Sequence, residues 1–321
     1  MVEPLFSILI ANYNNGRYIQ EAIESVLFQS YQQFEIIIVD DASTDDSIKV
    51  INTMAMTDNR IRVFRNRNNQ GVGFTKNKCL QFASGELAGF LDPDDVIVPN
   101  ALDIMARKHL EHPQASLIYS TNFVCDENLK IKYKYEDAGP VPNGFSYLTF
   151  SKIKPHRITH LATFKVYQLK HIGLDSYLKK AIDQDLYLKL EEQGDIVYID
   201  NPLYFYRHHT ANISLNKNAW TAMYFEMRAK NNAFYRRLGK NIPNYTREEL
   251  DKEWYEVLKN WALESLFYKK PGKLMKIYWF YQVHFKSLPG LARFIYYTIK
   301  RHYFPSAFYL TGCLCLLCLP L

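Results

Sequence analysis

The sequence predicts an α/β fold with a mostly parallel central sheet flanked by helices. Three observations predict it. Through the first 120 residues, short apolar runs alternate with segments of helical spacing. Such alternation builds a parallel sheet with helices on both faces. Several of the runs also end in polar or acidic clusters, and ligands bind at the carboxyl ends of such strands.

The elements follow in order. Phe6-Ser7-Ile8-Leu9-Ile10 reads as a buried strand, and Ile19, Ala22, Ile23, Val26 and Leu27 recur at helical spacing. Phe34 to Val39 is a second buried strand, ending at Asp40-Asp41. Ser43 with Asp46 suggests a variant capping box before a helix carrying Ile48, Ile51 and Met54. Ile61 to Phe64 is a third strand, and a helix over roughly 73–84 leads to the strand 87–91. Pro99 starts another helix, and Ser116 to Tyr119 form a further strand. Residues 122–160 are looser, with Gly139-Pro140, Asn143-Gly144 and Pro155 as turn signals. Order returns from about 160 to 215, with a helix at 183–193 and a strand at 196–199. Domain one is therefore expected at 1–218, a donor half to about 120 and an acceptor half over 121–218. A helical, basic and aromatic region follows over 219–321.

The most informative local feature is Asp92-Pro93-Asp94-Asp95, directly after the apolar run Leu87 to Leu91. Asp and Pro also favour helix N-termini, so a solvated turn is the competing explanation. Three carboxylates within four residues concentrate charge that a hard cation, Mg²⁺ or Mn²⁺, would relieve, usually shared with substrate phosphates. In a parallel sheet this cluster lies on the same edge as Asn12-Tyr13-Asn14 and Asp40-Asp41.

Four segments together resemble glycosyltransferase family 2: Ser7 to Asn14, Ile38 to Asp45, Asn69-Gln70-Gly71 and Phe90 to Asp95. The resemblance covers about residues 5–215 and implies the A-type nucleotide-sugar transferase fold. It further implies inversion, a nucleotide-diphospho-sugar donor and a Mn²⁺ or Mg²⁺ ion. Matched residue by residue, Tyr13 and Asp41 resemble the nucleoside-base contacts, Asp92 the ribose contact and Asp94 the metal ligand. Asp95 is left as a water-bridged ligand or a helix cap. Ala11 stands where relatives often carry a hydroxyl. Gly71 and Gly73 begin a glycine pattern, but Lys76 takes its third glycine position, which excludes a dinucleotide fingerprint. Lys76 is a candidate counter-charge for the diphosphate, or a solvated helix lysine.

Inverting transfer needs a carboxylate to take the acceptor's proton. Asp183, in Ile182-Asp183-Gln184-Asp185-Leu186, resembles the family's base, with Asp185 as an orienting carboxylate. Ile182 replaces the usual Glu. A helix start would itself favour these acids. Tyr206-Arg207-His208-His209 resembles the late Tyr-Arg-x-His motif, with Arg207 facing the diphosphate and His209 a metal ligand. Adjacent residues of a strand face opposite ways, so His209 is favoured over His208.

Composition sets the surroundings. Net charge is +6, and no Asp or Glu follows Glu264, while eight lysines and arginines do. That asymmetry predicts a polyanionic partner, here an anionic membrane surface, since no nucleic-acid module appears. Residues 304–321 are uncharged and apolar, yet short of the roughly 20 a spanning helix needs. The five cysteines form neither a metal-spaced cluster nor an even framework, which predicts a reducing compartment. Leu5 to Ala11 is too short for a signal peptide. The expectation is a cytoplasmic enzyme, peripheral on the inner membrane face, using a glycan or lipid-linked acceptor in surface polysaccharide assembly. The alternatives are a metal-dependent nucleotidyltransferase and an inactive membrane-associated scaffold of the same fold.

Overall fold

The structure, a computed structural model, describes residues 3–209 and 219–267. The element order is β1 (Phe6–Asn12), α1 (Ile19–Leu27), β2 (Phe34–Asp40), α2 (Ser47–Ala55), β3 (Ile61–Arg65) and α3 (Val72–Phe82). Then come β4 (Leu87–Phe90), β5 (Val96–Ile97), α4 (Ala101–Glu111), β6 (Ala115–Cys125) and β7 (Ile131–Lys134). They are followed by α5 (Tyr147–Phe150), β8 (Ala162–Lys165), α6 (Val166–Lys170), α7 (Ile182–Glu191) and β9 (Asp195–Arg207). The last two elements are α8 (Ala219–Arg236) and α9 (Arg247–Phe267).

The strands form a 9-stranded sheet in the order β3-β2-β1-β4-β8-β6-β9-β5, with β7 beside β6. The first four are parallel neighbours. β8 runs antiparallel between β4 and β6, so β6 and β9 regain the direction of β1. The sheet is thus mostly parallel, as predicted. Ile8, Ile10, Ile36 and Ile38 pack with Ile19, Ile23 and Met105 of the flanking helices. The alternate residues Leu9, Ile37 and Val39 are equally buried, and α3 lies against β1 and β2. Both faces being covered explains the unbroken apolar runs.

The predicted capping box is not formed. Asp46 caps α2 without a side-chain hydrogen bond. Ser43 Oγ instead accepts from Asn12 Nδ2 at 3.2 Å and Asn14 N at 2.9 Å, which ties the β1 and β2 ends together. Cys79 and Cys125 are free and buried, as their apolar settings suggest.

The chain divides into two compact units, Met1–Asn218 with Arg228–Asn244, and Ala219–Met227 with Tyr245–Leu321. In the second unit Leu250, Trp254, Val257 and Leu258 are buried at helical spacing, and Tyr224 meets Trp254 edge-on at 5.9 Å. Trp254 is thus a core residue rather than part of a surface aromatic stripe. Among the described residues no helix is long and apolar enough to cross a membrane. The basic-aromatic stretch 268–303, the apolar tail 304–321 with Cys313, Cys315 and Cys318, and Asn212-Ile213-Ser214 lie outside the described residues.

Candidate active site

The strand ends meet along one edge, as the parallel order requires. Asn12 faces Asp40 in register, and Asn12 Nδ2 donates to Asp40 Oδ2 at 2.9 Å. Tyr13, next in the chain, is 45% exposed, which leaves its ring open to stack on a base. Asp41 is not open in the same way. Its Oδ1 accepts from Asn66 Nδ2 (2.7 Å) and Gln70 N (2.9 Å), and its Oδ2 from Gly71 N (2.8 Å). Asp41 is buried and closes the loop before α3, using three of the roughly four acceptor positions of a carboxylate within the chain. Gly71 makes this possible with φ near +87°, a conformation costly for other residues.

The acidic cluster after β4 separates into three roles. Asp92 is half-buried, and Lys76 Nζ donates to its Oδ1 at 3.1 Å. Burial opposes the charge of Asp92, but Lys76 and His160 outweigh it and hold the carboxyl below its ordinary value. Asp94 Oδ2 lies 2.9 Å from His209 Nε2. Burial and the Asp92 charge push Asp94 up, more than His209 pulls it down. Asp95 is fully enclosed, its Oδ1 accepting from Arg207 N (2.7 Å) and its Oδ2 from the Tyr204 hydroxyl (2.8 Å). Burial and its two acidic neighbours push it well above the usual carboxylate range. Asp95 therefore fastens β4 to β9 and is neither a helix cap nor placed for an ion.

Of the two late histidines, His209 is the one against Asp94. His208 stands edge-on to Tyr206 at 5.2 Å. Arg207 is engaged within the chain. Its guanidinium is buried, with Nε on Asp94 O (2.6 Å), Nη1 on Glu127 O (2.7 Å) and Nη2 on Glu21 Oε2 (2.8 Å). It also lies over the Tyr18 ring at 4.7 Å. Arg207 holds the backbone of the acidic turn.

α7 carries the second acidic group. Its approach rests on α3, where a Cβ at Gly73 would come 3.1 Å from Leu178 O and 3.2 Å from Asp175 O. Any side chain there would push the loop 174–181 outward by a few tenths of an ångström. Asn77 locks the same loop from both sides, accepting from Leu174 N at 2.7 Å and donating to Leu174 O at 2.8 Å. Asp183 is half-buried in the first turn of α7. Its charge acts on Lys76, His160 and Tyr187. Burial works against the Lys76 cation, yet Asp92 and Asp183 together raise its pKa. Lys76 is thus a buried lysine paired with Asp92, on which the Asp183 charge also acts. Asp185 is fully buried, accepting from Asp175 N and Lys189 Nζ, each at 2.7 Å. These two bonds tie the loop before α7 to the helix.

Three comparisons bear on this arrangement. The family model described as "Glycosyl transferase family 2" matches residues 7–173, more than half of the chain. The chain belongs to glycosyltransferase family 2. The chondroitin synthase of Pasteurella multocida is 29% identical over 252 residues, 77% of this chain and 25% of that protein. The hyaluronan synthase of Pasteurella multocida is 29% identical over 67% of this chain and 21% of its own length. The chain therefore spans about a quarter of these curated relatives. Among solved structures, Staphylococcus aureus TarS 1–349 in complex with UDP-GlcNAc superposes with a TM-score of 0.61 at 19% identity, covering 93% of this chain and 89% of that one. The UDP complex of the same protein gives 0.59 at 18%, covering 95% and 93%. That likeness shows the A-type fold.

The family's sheet also brings in a residue the motifs leave out. His160 precedes β8, its ring stacked on Tyr204 at 5.2 Å and 28°. The only sequence signal is a lone histidine beside a short apolar stretch, which is more often a core residue.

The metal expectation can be tested against the donor set. Asp94 and His209 supply one carboxylate oxygen and one imidazole nitrogen side by side. No group of three or more ligand side chains is gathered among the described residues. Two protein ligands and a crowded carboxylate fit an ion that completes its sphere with substrate phosphates, not one in a closed protein cage.

Proposed function

We propose that this chain is an inverting glycosyltransferase that moves a sugar from a nucleotide-diphospho-sugar to an acceptor hydroxyl. The observation that carries this is the buried Lys76 ammonium, paired with Asp92 at 3.1 Å and raised in pKa by the charges of both Asp92 and Asp183. It joins the donor edge of the sheet to the N-terminus of α7, so the carboxylate available as base stands beside the donor site.

Tyr13 stacks on the base, and Asp92 accepts from the ribose. Asp94 and His209 hold Mn²⁺ or Mg²⁺, which when bound supplies positive charge for the leaving diphosphate. Asp183 takes the proton of the acceptor hydroxyl as its oxygen bonds to the anomeric carbon. The bond from that carbon to the phosphate oxygen breaks on the opposite face, and configuration inverts. Lys76 keeps Asp92 ionised and balances the second acid. Asp185, through Asp175 N and Lys189, fixes the start of α7 and with it the aim of Asp183.

The likeness to chondroitin and hyaluronan synthases supports a role in polysaccharide assembly, on a glycan or lipid-linked acceptor. The one-sided charge of residues 265–321 supports a peripheral site on the inner face of the cell membrane, with the chain cytoplasmic.

The test is a calorimetric panel of nucleotide-sugars with Mn²⁺, followed by transfer assays on wild type and Asp183→Asn. Wild type should bind one donor, and the variant should bind it equally while losing about 10²–10⁴ in kcat. No nucleotide binding by wild type would sink the reading. Full activity in the variant would remove Asp183 as base, and an inert wild type that binds donor would support the scaffold alternative.

A further inference from the structure

The β4–β8 pairing sets Leu87 opposite Lys165 and Gly89 opposite Thr163. Just before β8, the His160 ring stacks on Tyr204, whose hydroxyl lies 3.3 Å from Asp92 N. The charges of Asp92 and His160 act on one another, and those of Lys76 and Asp183 act on His160 as well. His160 is therefore near both the acid assigned to the ribose and the acid assigned as base. The transferred sugar must also lie near both, since its carbon is attacked by the hydroxyl that the base serves while it is still joined to the nucleotide.

The ring's chemistry suits a sugar hydroxyl. Burial lowers the His160 pKa, and the pull of Asp92 does not offset it. At neutral pH the imidazole then offers one donor and one acceptor. Its Nδ1 is buried without a protein partner. Buried polar atoms are nearly always satisfied, and one that is not points to a ligand or water. A hydroxyl both donates and accepts, matching a neutral imidazole, whereas a phosphate would favour a cation. The Tyr204 stack fixes the ring plane, and the Tyr204 hydroxyl is itself held between Asp92 N (3.3 Å) and Asp95 Oδ2 (2.8 Å).

We propose that His160 is a donor-sugar contact, its imidazole hydrogen-bonding a ring hydroxyl of the sugar being transferred. This rests on the donor reading above and adds a residue to it.

The decisive variant is His160→Phe, which keeps a ring against Tyr204 and removes both nitrogens. His160→Gln restores a donor and an acceptor. Wild type and both variants are titrated, in saturating Mn²⁺, with UDP and with UDP-GlcNAc, UDP-glucose, UDP-galactose and UDP-glucuronic acid. His160→Phe should bind UDP as wild type does, and bind the preferred UDP-sugar about tenfold more weakly, the loss of one hydrogen bond. His160→Gln should recover most of that preference. Equal weakening for UDP and UDP-sugar, or no weakening for either, overturns the His160 assignment and leaves the donor reading standing. Failure of wild type to bind any of the five overturns both.

Discussion

His209 Nε2 lies 2.9 Å from Asp94 Oδ2, a contact between residues 115 positions apart. It closes the end of β9 onto the turn after β4, and the ring of Tyr18 backs the imidazole at 4.9 Å. Nothing else in the acidic cluster is arranged this way. Asp92 is taken by Lys76, and Asp95 by Tyr204 and Arg207.

That pair predicts how the protein responds to metal removal. Chelation with EDTA should abolish sugar transfer, and Mn²⁺ or Mg²⁺ should restore it. His209→Ala should raise the Mn²⁺ concentration for half-maximal rate by at least about tenfold, since even supporting partners of a ligand are worth about 10–100-fold. Asp95→Asn should instead lower the unfolding midpoint. A metal titration on the two variants separates them; equal metal demand in wild type and His209→Ala would contradict the assignment.

Arg207 gives a different expectation from that of a phosphate ligand. Arg207→Gln removes the donors to Asp94 O and Glu127 O, and strands polar groups in the interior. Breaking such a buried set costs about 3–5 kcal/mol, and the Glu21 arm adds little because Glu21 is largely exposed. Urea unfolding should show that loss. Donor binding measured on the folded fraction should fall less than about threefold. A large loss of donor affinity at unchanged stability would return Arg207 to the diphosphate.

These two residues mark how far the sequence could be read. β1, β2, β3 and β4 are legible because a strand covered on both faces leaves an unbroken apolar run. β8 is not, since four residues, Ala162–Lys165, carry no pattern and owe their place to β4 and β6. The order of the acidic and histidine motifs brings Asp94 and His209 to one site in principle. It cannot tell a guanidinium aimed at a phosphate from one aimed at a carbonyl, so the intrachain partners of Arg207 and Asp41 are not legible in it. Both have the right chemistry and spend it within the chain. His160 is invisible in a linear pattern because its meaning comes from the distant Tyr204 ring it stacks on.

A pH prediction follows from His109 on α4. It is buried with Nε2 3.1 Å from Thr163 Oγ1. Burial, aided by the Lys165 charge, lowers its pKa from 6.5 to about 4. The folded pKa is below the unfolded one, so the unfolded chain binds the extra proton first. Stability from this group is fully present above about pH 6.5 and is lost as pH falls towards about 4, by roughly 3 kcal/mol in all. Urea unfolding at pH 7 and pH 5 should show a steeper loss for wild type than for His109→Gln. Parallel slopes would mean that the ring protonates without cost.

The last prediction concerns how α7 is held from its far end. Within the first unit, Arg237 is buried with Nη2 2.8 Å from Glu191 Oε2 and Nε 3.2 Å from Glu192 Oε1. Arg236 pairs with Glu192 at 3.0 Å and reaches Asp185 at 3.9 Å. Two carboxylates at the C-terminal end of a helix oppose its dipole and need these cations. Arg237→Met should leave Glu191 and Glu192 short of charge and cost about 3–5 kcal/mol. Because α7 also carries Asp183, kcat should fall more than donor affinity, the base losing its aim while the sheet edge keeps the nucleotide. The compensating variant Arg237→Met with Glu191→Leu should recover stability. If that double variant is no more stable than Arg237→Met alone, the cost lies in packing around the arginine and not in its charge.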